Sequence, residues 1–180
     1  MPRFIPNLLT IYRILSIPVI ICTFYFEDKK FAHILGAFLF LLASISDFFD
    51  GFLARKYNVQ SNFGRILDPI ADKILVSCIM LTLIKFDKVN LFPCILIISR
   101  EFIVSGLREY LAGTLKIPVS QLAKFKTTIQ LITLFIIILG TKGSGINGFD
   151  ELGAIMLWIS AIITVYTGYF YVSFSIKHSK

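Results

Sequence analysis

The stretch DFFDGFLARKYNVQSNFGRILDPIADK, Asp47 to Lys73, sets four aspartates, Asp47, Asp50, Asp68 and Asp72, in and around apolar runs. An ionised aspartate at the centre of a membrane helix costs about 2.5–3.5 kcal/mol on insertion scales, and four together roughly 10–14 kcal/mol. Such a cost demands a compensating partner. On a helix that advances about 100° per residue, Asp47, Asp50, Gly51 and Ala54 fall at about 0°, 300°, 40° and 340°, so two carboxylates share a face with two small residues. Gly64, Asp68 and Asp72 recur at i, i+4 and i+8 and do the same on a second helix. Residues 56–63 form a short polar turn between them, which predicts antiparallel neighbours whose acidic faces can meet.

The rest of the chain says what these helices are embedded in. Of 180 residues 56% are hydrophobic, the mean hydropathy is +0.80, and apolar runs near 20 residues recur throughout. That composition predicts an all-α, polytopic membrane protein rather than a soluble core. Six helices fit, at 6–26, 31–54, 65–86, 89–112, 122–140 and 150–175, each long enough to cross about 30 Å of hydrocarbon. Strands are excluded by the unpaired backbone an open sheet edge would leave in lipid. No linker divides the chain, so residues 1–180 are expected to form one domain. The Gly-rich stretch TKGSGINGFD, Thr141 to Asp150, reads as an exposed loop between the last two helices. The N-terminal apolar stretch runs on to Phe26 without a small-x-small cleavage site and reads as a retained first helix. Cys22, Cys78 and Cys94 fall in apolar segments without metal or disulfide spacing, and read as small hydrophobes; His33 and His178 are isolated.

Orientation follows from lysine and arginine. Arg3, then Arg55, Lys56 and Arg65, then Arg108, Lys116, Lys124 and Lys126, then Lys177 and Lys180 fall at one end of the predicted helices. The other end has Lys29, Lys30, Lys85, Lys88 and Lys142, balanced by Glu27, Asp28, Asp87, Asp150 and Glu151, so the formal +7 belongs to the first end. Both termini and the aspartates should therefore face the cytoplasm, at the inner surface of the cell membrane. Such a surface suits anionic lipid and anionic substrates. The scattered cations and the lack of any nucleic-acid motif exclude nucleic acid as the partner.

Four converging carboxylates repel one another unless cations neutralise them. All-oxygen ligands with no histidine or cysteine nearby select a hard cation, Mg²⁺ or Mn²⁺, over zinc or copper, and the donor set suits one ion or two. Gly51, Ala54 and Gly64 leave room for a bulky ligand, and Mg²⁺ held by a few carboxylates usually completes its shell with substrate phosphates.

Asp47-x2-Asp50-Gly51-x2-Ala54-Arg55-x8-Gly64-x3-Asp68-x3-Asp72 resembles, without gap or exception, the signature of the CDP-alcohol phosphotransferases: eight fixed residues over 26 positions. PNLLTIYR (Pro6–Arg13), SREFIVSGLREYLA (Ser99–Ala112) and KFKTTIQ (Lys124–Gln130) look like the bacterial phosphatidylglycerophosphate synthase branch of that family. The resemblance implies a six-helix membrane enzyme, usually a homodimer, with its site at the cytoplasmic interface and two divalent ions. It also implies a reaction of CDP-diacylglycerol with sn-glycerol 3-phosphate that gives phosphatidylglycerophosphate and CMP. Carried over residue by residue, Asp47, Asp50 and Asp68 are metal ligands, and Asp72 is a ligand or neighbour that also serves as general base. Gly51, Arg55 and Ser61 hold the cytidine diphosphate, and Asn7 and Thr10 line the same pocket. Ala54 and Gly64 complete the small-residue surface around it.

The acceptor is expected at Arg100, Arg108, Lys124 and Lys126, four cations on the cytoplasmic halves of the fourth and fifth helices, where a phosphomonoester could be gripped. Positive-inside anchoring explains the two lysines but not Arg100, which lies with Glu101 inside an apolar run. A choline or ethanolamine acceptor would be repelled by this cluster; an inositol phosphate would not. A cation transporter is the competing class, and it would want acids along a path across the membrane rather than all at one end.

Overall fold

The computed structural model describes the backbone of residues 4–57, 62–111 and 121–178, and side chains within 10–46, 70–110 and 125–175 together with Leu67. Among these residues six helices follow one another with no strand: α1 (Phe4–Thr23), α2 (Lys29–Tyr57), α3 (Asn62–Lys85), α4 (Leu91–Leu111), α5 (Gln121–Ser144) and α6 (Phe149–His178). The chain is all-α, as its apolar runs predict.

Local chemistry sets the boundaries. Asp28 caps α2: its Oδ1 accepts from Phe31 N at 3.1 Å and its carbonyl from Ala32 N at 2.9 Å. Asn90 caps α4 by accepting from Phe92 N at 2.9 Å. The turn after α3 is a Schellman motif, in which Lys88 N reaches Leu83 O and Asp87 N reaches Ile84 O while Asp87 takes the left-handed conformation with φ 54°. Every helix differs from its expected bounds by one to four residues, and α2 and α3 take residues 56–57 and 62–63 of the expected turn into helix; two of the shifts have a visible cause. The first helix stops at Thr23 rather than 26, because Phe24, Tyr25 and Phe26 tighten into bonds with the carbonyls three residues back. The expected loop at 141–150 is shorter, since residues 141–144 add a further helical turn beyond a break at Gly140 (φ 55°, ψ −178°).

The helices form a ring in the order α1, α2, α5, α6, α4, α3, with α3 returning to α1. Over its described length α2 packs on α1 and α5 alike, and α3 chiefly on α1; of the acidic faces expected to meet, only the Asp72 side chain is described. Ile20, Phe40, Ile79, Met80, Leu83, Ile97, Leu134, Ile138 and Leu157 fill the centre. Outward, Leu15, Val19, Phe38, Phe92, Ile155 and Ile162 are exposed, as a lipid-facing surface requires. Lys29–Ser46, Phe125–Ser144 and Phe149–Ser175 are each long and apolar enough to cross a membrane, and Thr10–Thr23 is a shorter apolar stretch. The remaining helices are more interrupted by charge: Asp72 and Lys73 sit on α3, and Arg100, Glu101 and Arg108 on α4.

Candidate active site

The signature is divided between two helices as its spacing predicts. Asp47, Asp50, Gly51, Ala54 and Arg55 lie on the last turns of α2, and Gly64, Asp68 and Asp72 on the first turns of α3. Of their side chains only that of Asp72 is described; Ser61 lies outside the described residues, as do the side chains of Asn7 on α1 and Lys124 on α5.

Asp72 is tied to α1. Arg13 Nη1 donates to Asp72 Oδ1 at 2.7 Å, with the arginine side chain wholly buried and the aspartate side chain 44% exposed. Thr10, buried as well, stands one turn earlier on the same face of α1. Arg13 is a cation within an apolar run, and the pair meets its burial cost in part. Next to Asp72, Lys73 Nζ donates to Ser105 Oγ, which links α3 to α4.

A cavity of about 70 Å³ opens beside Asp72, bounded by Lys73, Ser77, Glu101, Thr127 and Gln130 among others. It joins α3, α4 and α5 around polar groups. Gln130 Oε1 is buried there with no hydrogen-bond partner among the described residues. An orphaned acceptor costs about 1–3 kcal/mol, so a site that keeps one is suited to a ligand that donates to it.

Two of the four expected acceptor cations, Arg100 and Lys126, converge on Glu101. Lys126, 4% exposed, donates to Glu101 Oε1, and Arg100 Nη1 stands 3.6 Å from the same oxygen. Lys126 is therefore no solvated anchor at the membrane surface; it is a buried cation with a carboxylate partner. Arg100 also donates from Nη2 to Thr167 Oγ1 at 3.3 Å, and its stem lies along α6 at Gly168, where a Cβ would come within 2.7 Å of Arg100 Cγ. Arg108 is exposed, stacks over Tyr171 with Cζ 5.5 Å from the ring centroid, and approaches Tyr171 Oη at 3.4 Å. Two cations to one carboxylate leave this corner positive, with Arg108 its most accessible group. Two groups had no assigned role in the sequence reading: Arg13 and Gln130. The signal for both was a polar side chain inside an apolar helical run.

No group of three or more potential metal ligands occurs among the described residues, and of the four aspartates only the Asp72 side chain is described. The chemistry of the donor set still fits a hard cation: four carboxylates brought to the connected ends of α2 and α3 offer oxygen alone.

The profile of CDP-alcohol phosphatidyltransferases matches residues 3–166. The chain belongs to the CDP-alcohol phosphatidyltransferase family. Relatives that carry the name CDP-diacylglycerol–glycerol-3-phosphate 3-phosphatidyltransferase include proteins of Rickettsia felis and Rickettsia prowazekii. Each is 56% identical over 168 residues, covering 93% of this chain and 92% of the relative. The Bacillus subtilis protein of the same name is 39% identical over 181 residues, covering 94% of this chain and 93% of its own. Membership in this family and the apolar helices make the chain an integral membrane protein.

Proposed function

We propose that this chain transfers the phosphatidyl group of CDP-diacylglycerol to sn-glycerol 3-phosphate, giving phosphatidylglycerophosphate and CMP. The observation that carries this reading is the unbroken signature from Asp47 to Asp72 on α2 and α3 in a chain 56% identical to relatives named for that reaction.

Asp47, Asp50, Asp68 and Asp72 hold two Mg²⁺ or Mn²⁺ ions, which when bound neutralise the carboxylates and the diphosphate and stabilise the departing CMP. Asn7, Thr10, Gly51, Ala54, Arg55, Ser61 and Gly64 receive the cytidine diphosphate. The glycines admit it close to the backbone, and Arg55 offers a guanidinium to its oxygens. Asp72 takes the proton from the acceptor hydroxyl as its oxygen bonds to the phosphorus bearing diacylglycerol and the bond from that phosphorus to CMP breaks. Arg13 is the positioning residue: its ion pair fixes one Asp72 oxygen and leaves the half-exposed carboxylate turned to the neighbouring cavity. Gln130 Oε1 accepts from an acceptor hydroxyl, and Arg100, Arg108, Lys124 and Lys126 supply the positive field for its phosphate. In this reading Lys126 and Arg100 act together with Glu101, and Arg108 meets the phosphate most directly. In this reading all six helices cross the inner membrane, with both termini and the aspartates on the cytoplasmic side where the lysines and arginines gather, and two copies associate as a homodimer.

The test is CMP release by purified protein supplied with CDP-diacylglycerol and Mg²⁺, comparing glycerol 3-phosphate, inositol phosphate, serine and no acceptor. Turnover with glycerol 3-phosphate alone is expected. Turnover with inositol phosphate instead would keep the aspartate chemistry and overturn the acceptor, and no turnover with any alcohol would favour a cation transporter.

A further inference from the structure

A cavity of about 200 Å³ lies at the opposite end of the bundle from Asp72, and none of the residues assigned to the transfer reaction lines it. It lies where the end of α1, the start of α2, the turn after α3 and the end of α5 come together, and its charged and aromatic lining is Lys29, Lys88, Lys142, His33, Phe24 and Phe86. In sequence this end of the molecule is neutral, with as many carboxylates as lysines. In space the charges separate, for three lysines line the cavity and no carboxylate does.

Two of the five carboxylates at this end are held by neighbouring backbone, and Asp150 stands by Gly140 at the edge of the cavity, beside His33. Asp28 caps α2, and Asp150 Oδ1 accepts from Thr141 N at 3.2 Å while Asp150 N donates back to Thr141 Oγ1 at 3.3 Å. The walls are built rather than incidental. The left-handed Asp87 turns the chain so that Lys88 N closes on Leu83 O, and Lys29 Nζ donates to Phe26 O at 2.9 Å. Lys142 is set by the break at Gly140, a position where φ is +55° and a Cβ would stand 2.7 Å from Asp150 Oδ1. His33 Nδ1 pairs with Ile138 O at 2.5 Å; a carbonyl only accepts, so Nδ1 carries the proton. Phe24 and Phe86, with ring centroids 5.4 Å apart, add an apolar side.

Three ammonium groups around one cavity repel one another unless an anion joins them. The space is several times the roughly 30 Å³ a water occupies in the liquid, so it admits a phosphate with part of its alcohol. We propose that this cavity binds a phosphate ester, its anionic oxygens held by Lys29, Lys88 and Lys142 and its carbon skeleton resting against Phe24 and Phe86. The ester is either the headgroup of a phospholipid at that membrane surface or a small soluble phosphate, the chemistry of recognition being the same.

Thermal unfolding of the full-length protein separates the two. One arm uses detergent-purified protein with inorganic phosphate against chloride at equal ionic strength; the other uses phosphatidylcholine nanodiscs with and without phosphatidylglycerol. Each arm is repeated with the Lys29→Gln/Lys88→Gln/Lys142→Gln variant and with Lys142→Glu alone, should the triple variant not fold. CMP release is read on every preparation, so that loss of the transfer activity is seen separately. A ligand at ten times its Kd raises the midpoint by about 3–6 °C in a chain of this size. The expected result is such a rise in wild type that is lost in the triple variant and reduced in Lys142→Glu, with turnover retained. A rise with phosphatidylglycerol alone assigns a lipid headgroup, and a rise with inorganic phosphate as well assigns the soluble ester. Equal rises in wild type and variants, or none in wild type, would overturn the proposal.

Discussion

Replacing Arg13 by alanine removes a wholly buried guanidinium that donates to Asp72 Oδ1 at 2.7 Å. Breaking a fully buried ion pair costs about 3–5 kcal/mol, and a hydrogen bond to a charged group contributes about 1.5–3 kcal/mol. The Asp72 side chain is 44% exposed, so water replaces part of what is lost and the lower range applies. For a chain of this length that is a fall in Tm of roughly 3–12 °C. Turnover should suffer more than stability. A carboxylate released from its ion pair no longer holds the orientation a general base needs, and misplacement of that kind costs about 100-fold. Initial rates of CMP release at saturating CDP-diacylglycerol and glycerol 3-phosphate give kcat, and unfolding in detergent gives Tm on the same sample. Arg13→Lys, which keeps the charge but not the planar fork, should fall between wild type and alanine. In combination with Asp72→Asn, Arg13→Ala should cost little further activity, because both changes disable the same group. Wild-type kcat and Tm in Arg13→Ala, or strictly additive losses in the double variant, would refute the positioning role.

Other consequences are as direct. EDTA should abolish CMP release and excess Mg²⁺ restore it, since four aspartates without their counter-ions cannot receive a diphosphate; full activity in EDTA would remove the metal from the account. Arg108→Ala should raise the KM for glycerol 3-phosphate about tenfold while leaving that for CDP-diacylglycerol within about twofold, the loss of one charge-assisted contact. Gln130→Leu should raise the same acceptor KM without lowering Tm, because it removes an acceptor that has no protein partner among the described residues; a lower Tm with unchanged kinetics would make Gln130 structural.

The six helices were legible because apolar runs near 20 residues recur along the chain; the caps that set their ends, Asp28 and Asn90, were not read from the sequence, which starts the fourth helix at 89. The aspartate motif was legible because its spacing is helical. The order of helices around the ring was not. In lipid a helix is apolar nearly all round, as α6 is, so periodicity gives no packing face. Partners across the ring were hidden for the same reason. Nothing in sequence links Arg13 to Asp72 or Arg100 to Thr167, and Lys126 looks like any lysine at a helix end until Glu101 is seen beside it. The cavity at the far end was masked by a charge balance that holds along the chain but not in space.

The central claim, transfer of a phosphatidyl group at the aspartate site, is tested most directly by following radiolabel from sn-glycerol 3-phosphate into extractable lipid alongside CMP, in wild type and in Asp68→Asn. The account predicts one labelled lipid per CMP in wild type and neither product in a folded Asp68→Asn protein. Labelled lipid formed at the wild-type rate by Asp68→Asn, or CMP released by wild type without label entering lipid, would contradict it.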